Sequence, residues 1–274
     1  MTDSIVSPQW LSQHLDDPDI VIIDCRFSLA EPELGHQQYQ TSHIPGAFYL
    51  HLNRDLSSPV GKHGGRHPLP NPSEFAEKLE KIGITSSQTQ VIAYDDSRFA
   101  FASRLWWLLR YLGHEKVAVL DGGFSGWQQA GYPTSSDRSE AKPGKFEVNL
   151  HPEWVVDIDT VKARKDLPEV MLVDSRSPER YRGETEPIDP IAGSIPGAVN
   201  YFWQGVTDDT GLAKSMDAQR DRWQETASAD EIIVYCGSGI TACVNLLSLH
   251  LAGIEKTKLY AGSWSDWCSY LVDE

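Results

Sequence analysis

Cysteine is scarce. The four in 274 residues, Cys25, Cys236, Cys243 and Cys268, include no Cys-x-x-Cys pair, so neither a disulfide framework nor a zinc site is expected. Thiols kept reduced point to a cytoplasmic setting. Long apolar runs are also lacking. No stretch approaches the ~20 residues of a membrane-spanning helix, and residues 1–20 carry Asp3, Asp16, Asp17 and Asp19 where a signal peptide would be apolar, so neither a span nor a signal is expected. Positive charge is short as well. Lys and Arg number 24 against 39 Asp and Glu, a formal net charge of −15, which argues against nucleic acid and anionic membrane surfaces as partners. A small anionic substrate would need a local cationic patch.

What the chain does contain is enough apolar residue, 40% hydrophobic with nine tryptophans, to bury the cores of two ordinary domains. Four blocks recur in the same order. Val21-Ile22-Ile23-Asp24-Cys25-Arg26 returns as Met171-Leu172-Val173-Asp174-Ser175-Arg176, and His43-Ile44-Pro45-Gly46-Ala47 as Ser194-Ile195-Pro196-Gly197-Ala198. Val91 to Ser97 takes the place of Ile233 to Ser238, and Val119 to Trp127 is echoed by Leu259 to Trp267. The chain is therefore read as a duplicated domain. Each copy alternates short apolar strands with helical segments, the pattern of an α/β fold with a doubly wound, mostly parallel sheet whose ligands bind at the carboxyl ends of the strands. Residues 1–135 and 154–274 are expected to be the two domains. Residues 136–153 lie within a stretch rich in Pro, Ser, Lys and Asp with weak periodicity, and are read as a linker over the surface.

The second copy carries the chemistry. Ile232-Ile233-Val234-Tyr235 favours a strand, Cys236-Gly237-Ser238-Gly239-Ile240-Thr241-Ala242 a tight loop, and the run from Cys243 to Leu251 a helix. A loop feeding a helix N-terminus turns backbone N–H groups and the positive dipole end toward its centre, which favours an anion there. The thiolate of Cys236 is the candidate anion and nucleophile. Gly237 and Gly239 are expected to supply positive φ, and Ser238 and Thr241 bring hydroxyls near the sulfur. A buried, inert cysteine is the competing reading, but it requires no glycine-flanked loop. A phosphatase loop would need an arginine six residues after the cysteine, where this chain has Ala242.

On this loop and the four repeated blocks the chain resembles the two-domain rhodanese-type sulfurtransferases. Cys-Gly-Ser-Gly-Ile-Thr-Ala is closer to the mercaptopyruvate version than to the basic thiosulfate version. The resemblance implies two tandem rhodanese-like domains, a first one rendered non-catalytic by Asp95 at the cysteine position, and no metal or organic cofactor. It implies transfer of sulfane sulfur from 3-mercaptopyruvate through a Cys236 persulfide to a thiol such as thioredoxin or glutathione, or to cyanide. Thiosulfate as donor, and a relay protein taking persulfide from a partner, are the alternatives. By the same resemblance Ser238 and His67 form a proton-carrying set, with Asn53 or Asp55 near the place of its acid. Arg180 matches a substrate arginine, Arg182 is a second candidate, and Ile188 stands where another arginine is usual. The Asp24-x-Arg26 and Asp174-x-Arg176 pairs, present in both copies, are expected to be structural. Trp264 and Trp267 are read as core or cleft wall, and Cys25, Cys243 and Cys268 as buried, with a redox partnership of Cys243 and Cys236 as the alternative for Cys243.

Overall fold

A computed structural model describes residues 4–272. The chain forms two compact units, one of residues 1–58, 70–151 and 209–213, the other of residues 59–69, 152–208 and 214–274. In the first, the order is β1 (Ile5–Val6), α1 (Pro8–Ser12), β2 (Ile20–Asp24), α2 (Leu34–Thr41), β3 (Phe48–Tyr49), α3 (Pro72–Lys81), β4 (Gln90–Tyr94), α4 (Ala102–Tyr111), β5 (Val117–Leu120) and α5 (Gly123–Gln129). The second runs β6 (Val155–Val156), α6 (Ile158–Arg164), β7 (Val170–Asp174), α7 (Pro178–Tyr181), β8 (Val199–Asn200), α8 (Met216–Arg222), β9 (Glu231–Tyr235), α9 (Ala242–Leu251), β10 (Thr257–Tyr260) and α10 (Ser263–Leu271).

Both units contain a five-stranded parallel sheet, in the orders β1-β5-β4-β2-β3 and β6-β10-β9-β7-β8. Helices cover such sheets on both faces, which is why the central strands are apolar without alternation. Every residue of β9 is buried. In α9 eight of ten residues are buried as well, and the polar ones among them are hydrogen-bonded, Asn245 to Ser175 and Ser248 to Gln219.

The repeated blocks pack in the same way. Arg26 holds Asp24 at 2.6 Å and Arg176 holds Asp174 at 2.6 Å, all four buried. The arginines also donate to the carbonyls of Ser42 and Gly193, each at 2.7 Å, and lie over the rings of Phe124 and Trp264. These pairs tie a strand end to the next loop in both units, the structural role expected of them. Trp264 and Trp267 are core residues, 2% and 8% exposed. Residues 135–151 lie along the first unit: Ser135 bridges His43, Gly144 N–H donates to Glu80 O, and His151 N–H to Tyr111 O. Among the described residues no helix is long and apolar enough to cross a membrane.

Candidate active site

Cys236 follows β9 at the carboxyl edge of the second sheet, where the strand order reverses between β9 and β7, the place at which open parallel sheets bind ligands. Residues 236–241 then turn into α9. The turn needs glycine at Gly239, which has a φ of 76° and passes so close to the next crossover that a Cβ would lie 2.4 Å from the Ala261 carbonyl oxygen. Gly237 departs from the expectation, for its φ is not positive. Its constraint is its neighbours: a Cβ there would stand 3.2 Å from Arg66 Nη2, 3.4 Å from Arg180 Nη2 and 3.5 Å from Arg180 Nη1. Glycine lets two guanidiniums come up against the loop.

The sulfur-bearing residue is pinned from the start of α10. Trp264 N–H donates to the Cys236 carbonyl at 3.0 Å and Ser265 N–H to that of Gly237 at 2.9 Å. Cys236 N–H donates to Ser263 Oγ at 3.1 Å. Ser263 has a φ of 58°, a left-handed conformation costing a non-glycine of order 1–3 kcal/mol. Its counterpart in the first unit is Gly123, with a φ of 57°. Only the copy with the cysteine carries the strained serine. The difference was visible in the sequence as Gly-Gly against Gly-Ser, but its meaning lay in this bond.

His67 and Ser238 come together, with Nδ1 and Oγ 2.8 Å apart and both residues buried. The histidine arrives on residues 59–69, part of the second unit although they lie in the first half of the chain. Gly64 N–H donates to Asp266 Oδ1 at 2.6 Å, His63 Nδ1 lies 2.7 Å from Ser269 Oγ, and its ring stacks on Tyr270 at 4.0 Å. Tyr260 O–H occupies the other oxygen of Asp266. This strap is why His67 is fixed rather than exposed in its Gly- and Pro-rich segment. Asn53 and Asp55 belong to the first unit; Asn53 is exposed, and Asp55 accepts from Lys78 Nζ and from His51 N–H, each at 2.8 Å.

Arg180 also reaches the loop, and Arg182 does not. Arg180 is held by Glu186 through Nε at 3.1 Å and Nη2 at 2.6 Å, and its Nη2 lies 3.3 Å from Asp189 Oδ2. The half-exposed Arg182 is clamped by Glu184 at 2.6 and 2.9 Å. Arg66, which the sequence reading did not select, donates through Nη1 to Asp189 Oδ1. Burial pushes the Asp189 carboxyl above its ordinary value, with the Arg66 charge opposing. Burial pushes Glu186 the same way, but the Arg180 hydrogen bond and the amides of Asp189 and Ile188 hold it below.

The Cys236 thiol is 2% exposed. Cys243 is buried too, and its S–H points back to the Gly239 carbonyl at 3.4 Å; Cys25 and Cys268 are core residues. No three His, Cys, Asp or Glu among the described residues gather as the ligands of a metal would.

In the first unit Asp95 ends β4 as Cys236 ends β9. Its carboxylate accepts four backbone N–H groups, those of Ser97 and Phe99 on Oδ1 and of Phe101 and Ala102 on Oδ2, at 2.8–3.2 Å. The loop in this position is thus an anion cradle, filled here by the chain's own side chain.

Residues 7–130 and 157–270 each match the Rhodanese-like domain. Over 268 residues the chain is 42% identical to a Pseudomonas aeruginosa protein named probable 3-mercaptopyruvate sulfurtransferase, covering 96% of this chain and 94% of that one. It is 34% identical to the 3-mercaptopyruvate sulfurtransferase of Escherichia coli K12 over 273 residues, 97% and 95% of the two chains. The crystal structure of SseA from Escherichia coli superposes with a TM-score of 0.84 at 33% identity, covering 96% of this chain and all of that one.

Proposed function

The chain belongs to the rhodanese-like family, with two such domains, and from that premise we propose that it is a sulfurtransferase moving sulfane sulfur from 3-mercaptopyruvate to a thiol or cyanide through a persulfide on Cys236. The observation that carries the choice of donor is the buried His67–Ser238 hydrogen bond on the catalytic loop. In the first half-reaction the Cys236 thiolate attacks the donor sulfur, the carbon–sulfur bond breaks, and its electron pair leaves on carbon as the enolate of pyruvate. That carbon must take a proton, and the donor's own S–H supplies it, carried by Ser238 and His67. Sulfite leaving thiosulfate needs no proton on carbon, so a buried proton carrier favours mercaptopyruvate.

In the second half-reaction an acceptor thiolate or cyanide takes the outer sulfur and returns Cys236 as thiolate. The covalent intermediate predicts ping-pong kinetics. Stabilisation of the sulfur anion falls to the amides of the loop, by analogy with those around Asp95. Free thiols at all four cysteines fit a reducing cytoplasm with thioredoxin or glutathione as acceptor.

The test is steady-state sulfur transfer from 3-mercaptopyruvate and from thiosulfate, with Cys236→Ser and Ser238→Ala alongside. We expect no transfer by Cys236→Ser and a one-sulfur mass gain on wild-type Cys236 after donor alone. Ser238→Ala is expected to lower kcat with mercaptopyruvate about 100-fold and to spare thiosulfate. Transfer surviving in Cys236→Ser would overturn the mechanism, and equal losses with both donors would overturn the proton-carrier argument.

A further inference from the structure

The turn from β10 into α10 carries side chains that its repeat in the first unit lacks. Tyr260, Asp266, Ser269 and Tyr270 stand where the first copy has Leu120, Gly126, Gln129 and Ala130. Together they receive the strap that bears His67. Asp266 Oδ1 accepts Gly64 N–H at 2.6 Å, and its Oδ2 accepts Tyr260 O–H at 2.7 Å. Ser269 Oγ donates to the Asp266 carbonyl at 2.7 Å, which leaves it to accept from His63 Nδ1, also 2.7 Å away. The Tyr270 ring stacks on that of His63 at 4.0 Å and 16°. Crowding does not explain the difference between the copies, since a Cβ at Gly126 would meet nothing closer than 3.4 Å. Asp266 is 5% exposed, and a carboxylate so placed depends on its hydrogen bonds. The strap supplies one of them.

We propose that Asp266 is a positioning residue for sulfur transfer: it latches residues 63–65 to the β10–α10 turn and so presents His67 to Ser238, with Tyr260 holding its second oxygen. This rests on the sulfur-transfer reading above, in which His67 and Ser238 carry a proton. Gly64 precedes His67 by three residues, at most about 10 Å of chain. Slack at the latch therefore reaches the 2.8 Å contact between His67 and Ser238. Two glycines show how closely the pieces are fitted. Gly65 has a φ of 81°, and a Cβ there would strike the Gly262 carbonyl oxygen. Gly262 has an ordinary φ of −63°, but a Cβ on it would lie 2.5 Å from that of Asp266, so aspartate at 266 itself demands glycine at 262. Burial and the Asp266 charge push the Tyr260 hydroxyl above its ordinary value, which keeps it a donor. Lifting the strap would take the Gly64 N–H from a carboxylate still enclosed by the turn, and that loss opposes release.

The experiment joins amide hydrogen exchange of peptides spanning 59–69 to steady-state transfer from 3-mercaptopyruvate. Wild-type protein, Asp266→Ala and the double variant Tyr260→Leu/Asp266→Gly are compared as full chains, each also in a Ser238→Ala background. The double variant installs the residues with which the first copy's turn folds, and it carries the test if Asp266→Ala fails to fold. Strap exchange is expected to quicken about 10-fold or more, the scale of one charge-assisted hydrogen bond, while peptides of β9 keep wild-type protection. With His67 misplaced, kcat should fall about 10-fold or more, and by more than KM changes. In the Ser238→Ala background the latch variants should lower kcat no further, because no proton carrier remains to be positioned. A merely structural residue would cost the same in both backgrounds. Unchanged strap exchange, unchanged kcat, or an equal loss of kcat in both backgrounds overturns the proposal. Wild-type protein that transfers no sulfur overturns the sulfur-transfer reading instead, and strap exchange then still decides the latch.

Discussion

Asp95 and Cys236 hold the same place in two copies of one loop, and their partners show what the loop is for. Four amides converge on the Asp95 carboxylate; the sibling loop starts from a thiol, which is an anion only when deprotonated. Aspartate at residue 95 was legible in the sequence as a lost nucleophile, whereas its use as a built-in anion was not, because backbone N–H directions are set by the folded loop. A second acid, Asp189, bears on stability. Burial raises its pKa above the unfolded value, with the Arg66 charge opposing, so its contribution to stability is full below the ordinary carboxylate range and is lost as pH rises through the raised value. We therefore expect Asp189→Asn, which is neutral at all pH, to leave stability in urea unfolding at pH 7 undiminished. A less stable variant would show that the ion pairs with Arg66 and Arg180 outweigh the cost of burial.

The strand, loop and helix around Cys236 could be read directly from sequence. Apolar periodicity changes where β9 gives way to α9, and Gly-Ser-Gly breaks the run between them. The two glycines nevertheless answer different demands. Gly239 combines a φ of 76° with a Cβ position 2.4 Å from a backbone carbonyl oxygen, which only backbone movement could relieve. Gly237 meets the far ends of two side chains at 3.2–3.5 Å, and these can retreat. Gly239→Ala is accordingly expected to cost about 2 kcal/mol or more in stability and to abolish transfer. Gly237→Ala should keep the fold within about 1 kcal/mol, because the side chains its methyl group meets can retreat. Thermal unfolding and steady-state kinetics on both variants check the contrast; equal stability losses would refute it. Sequence alone gave both glycines one reason, since it shows where a turn lies but not what approaches it.

At the scale of the whole chain, the decisive feature is a segment that leaves its own half. Residues 59–69 separate β3 from α3 in sequence, yet they fold with the second unit, strapped there through Gly64, His63 and the close passage of Gly65 beneath Gly262. Exchanging 59–69 for a glycine–serine loop of equal length removes Arg66 and His67 together. Iodoacetamide should still label Cys236, while transfer from mercaptopyruvate is expected to fall by about 10²- to 10⁴-fold; a smaller loss would mean that the strap is ornamental.

The sequence by itself determined the duplication, the parallel α/β units, the cysteine and its loop, and the Asp-x-Arg pairs. Each of these is written in local periodicity or in repeated motifs that need no partner to be read. Only the tertiary structure decided which cations lie against the loop, Arg66 and Arg180 but not Arg182, and what Ser263 bonds where the first copy has a glycine. Arg66 and Gly237 are 171 positions apart in the chain, so their meeting depends on crossover packing and strap contacts, and side-chain identity along a sequence carries no record of distances in space.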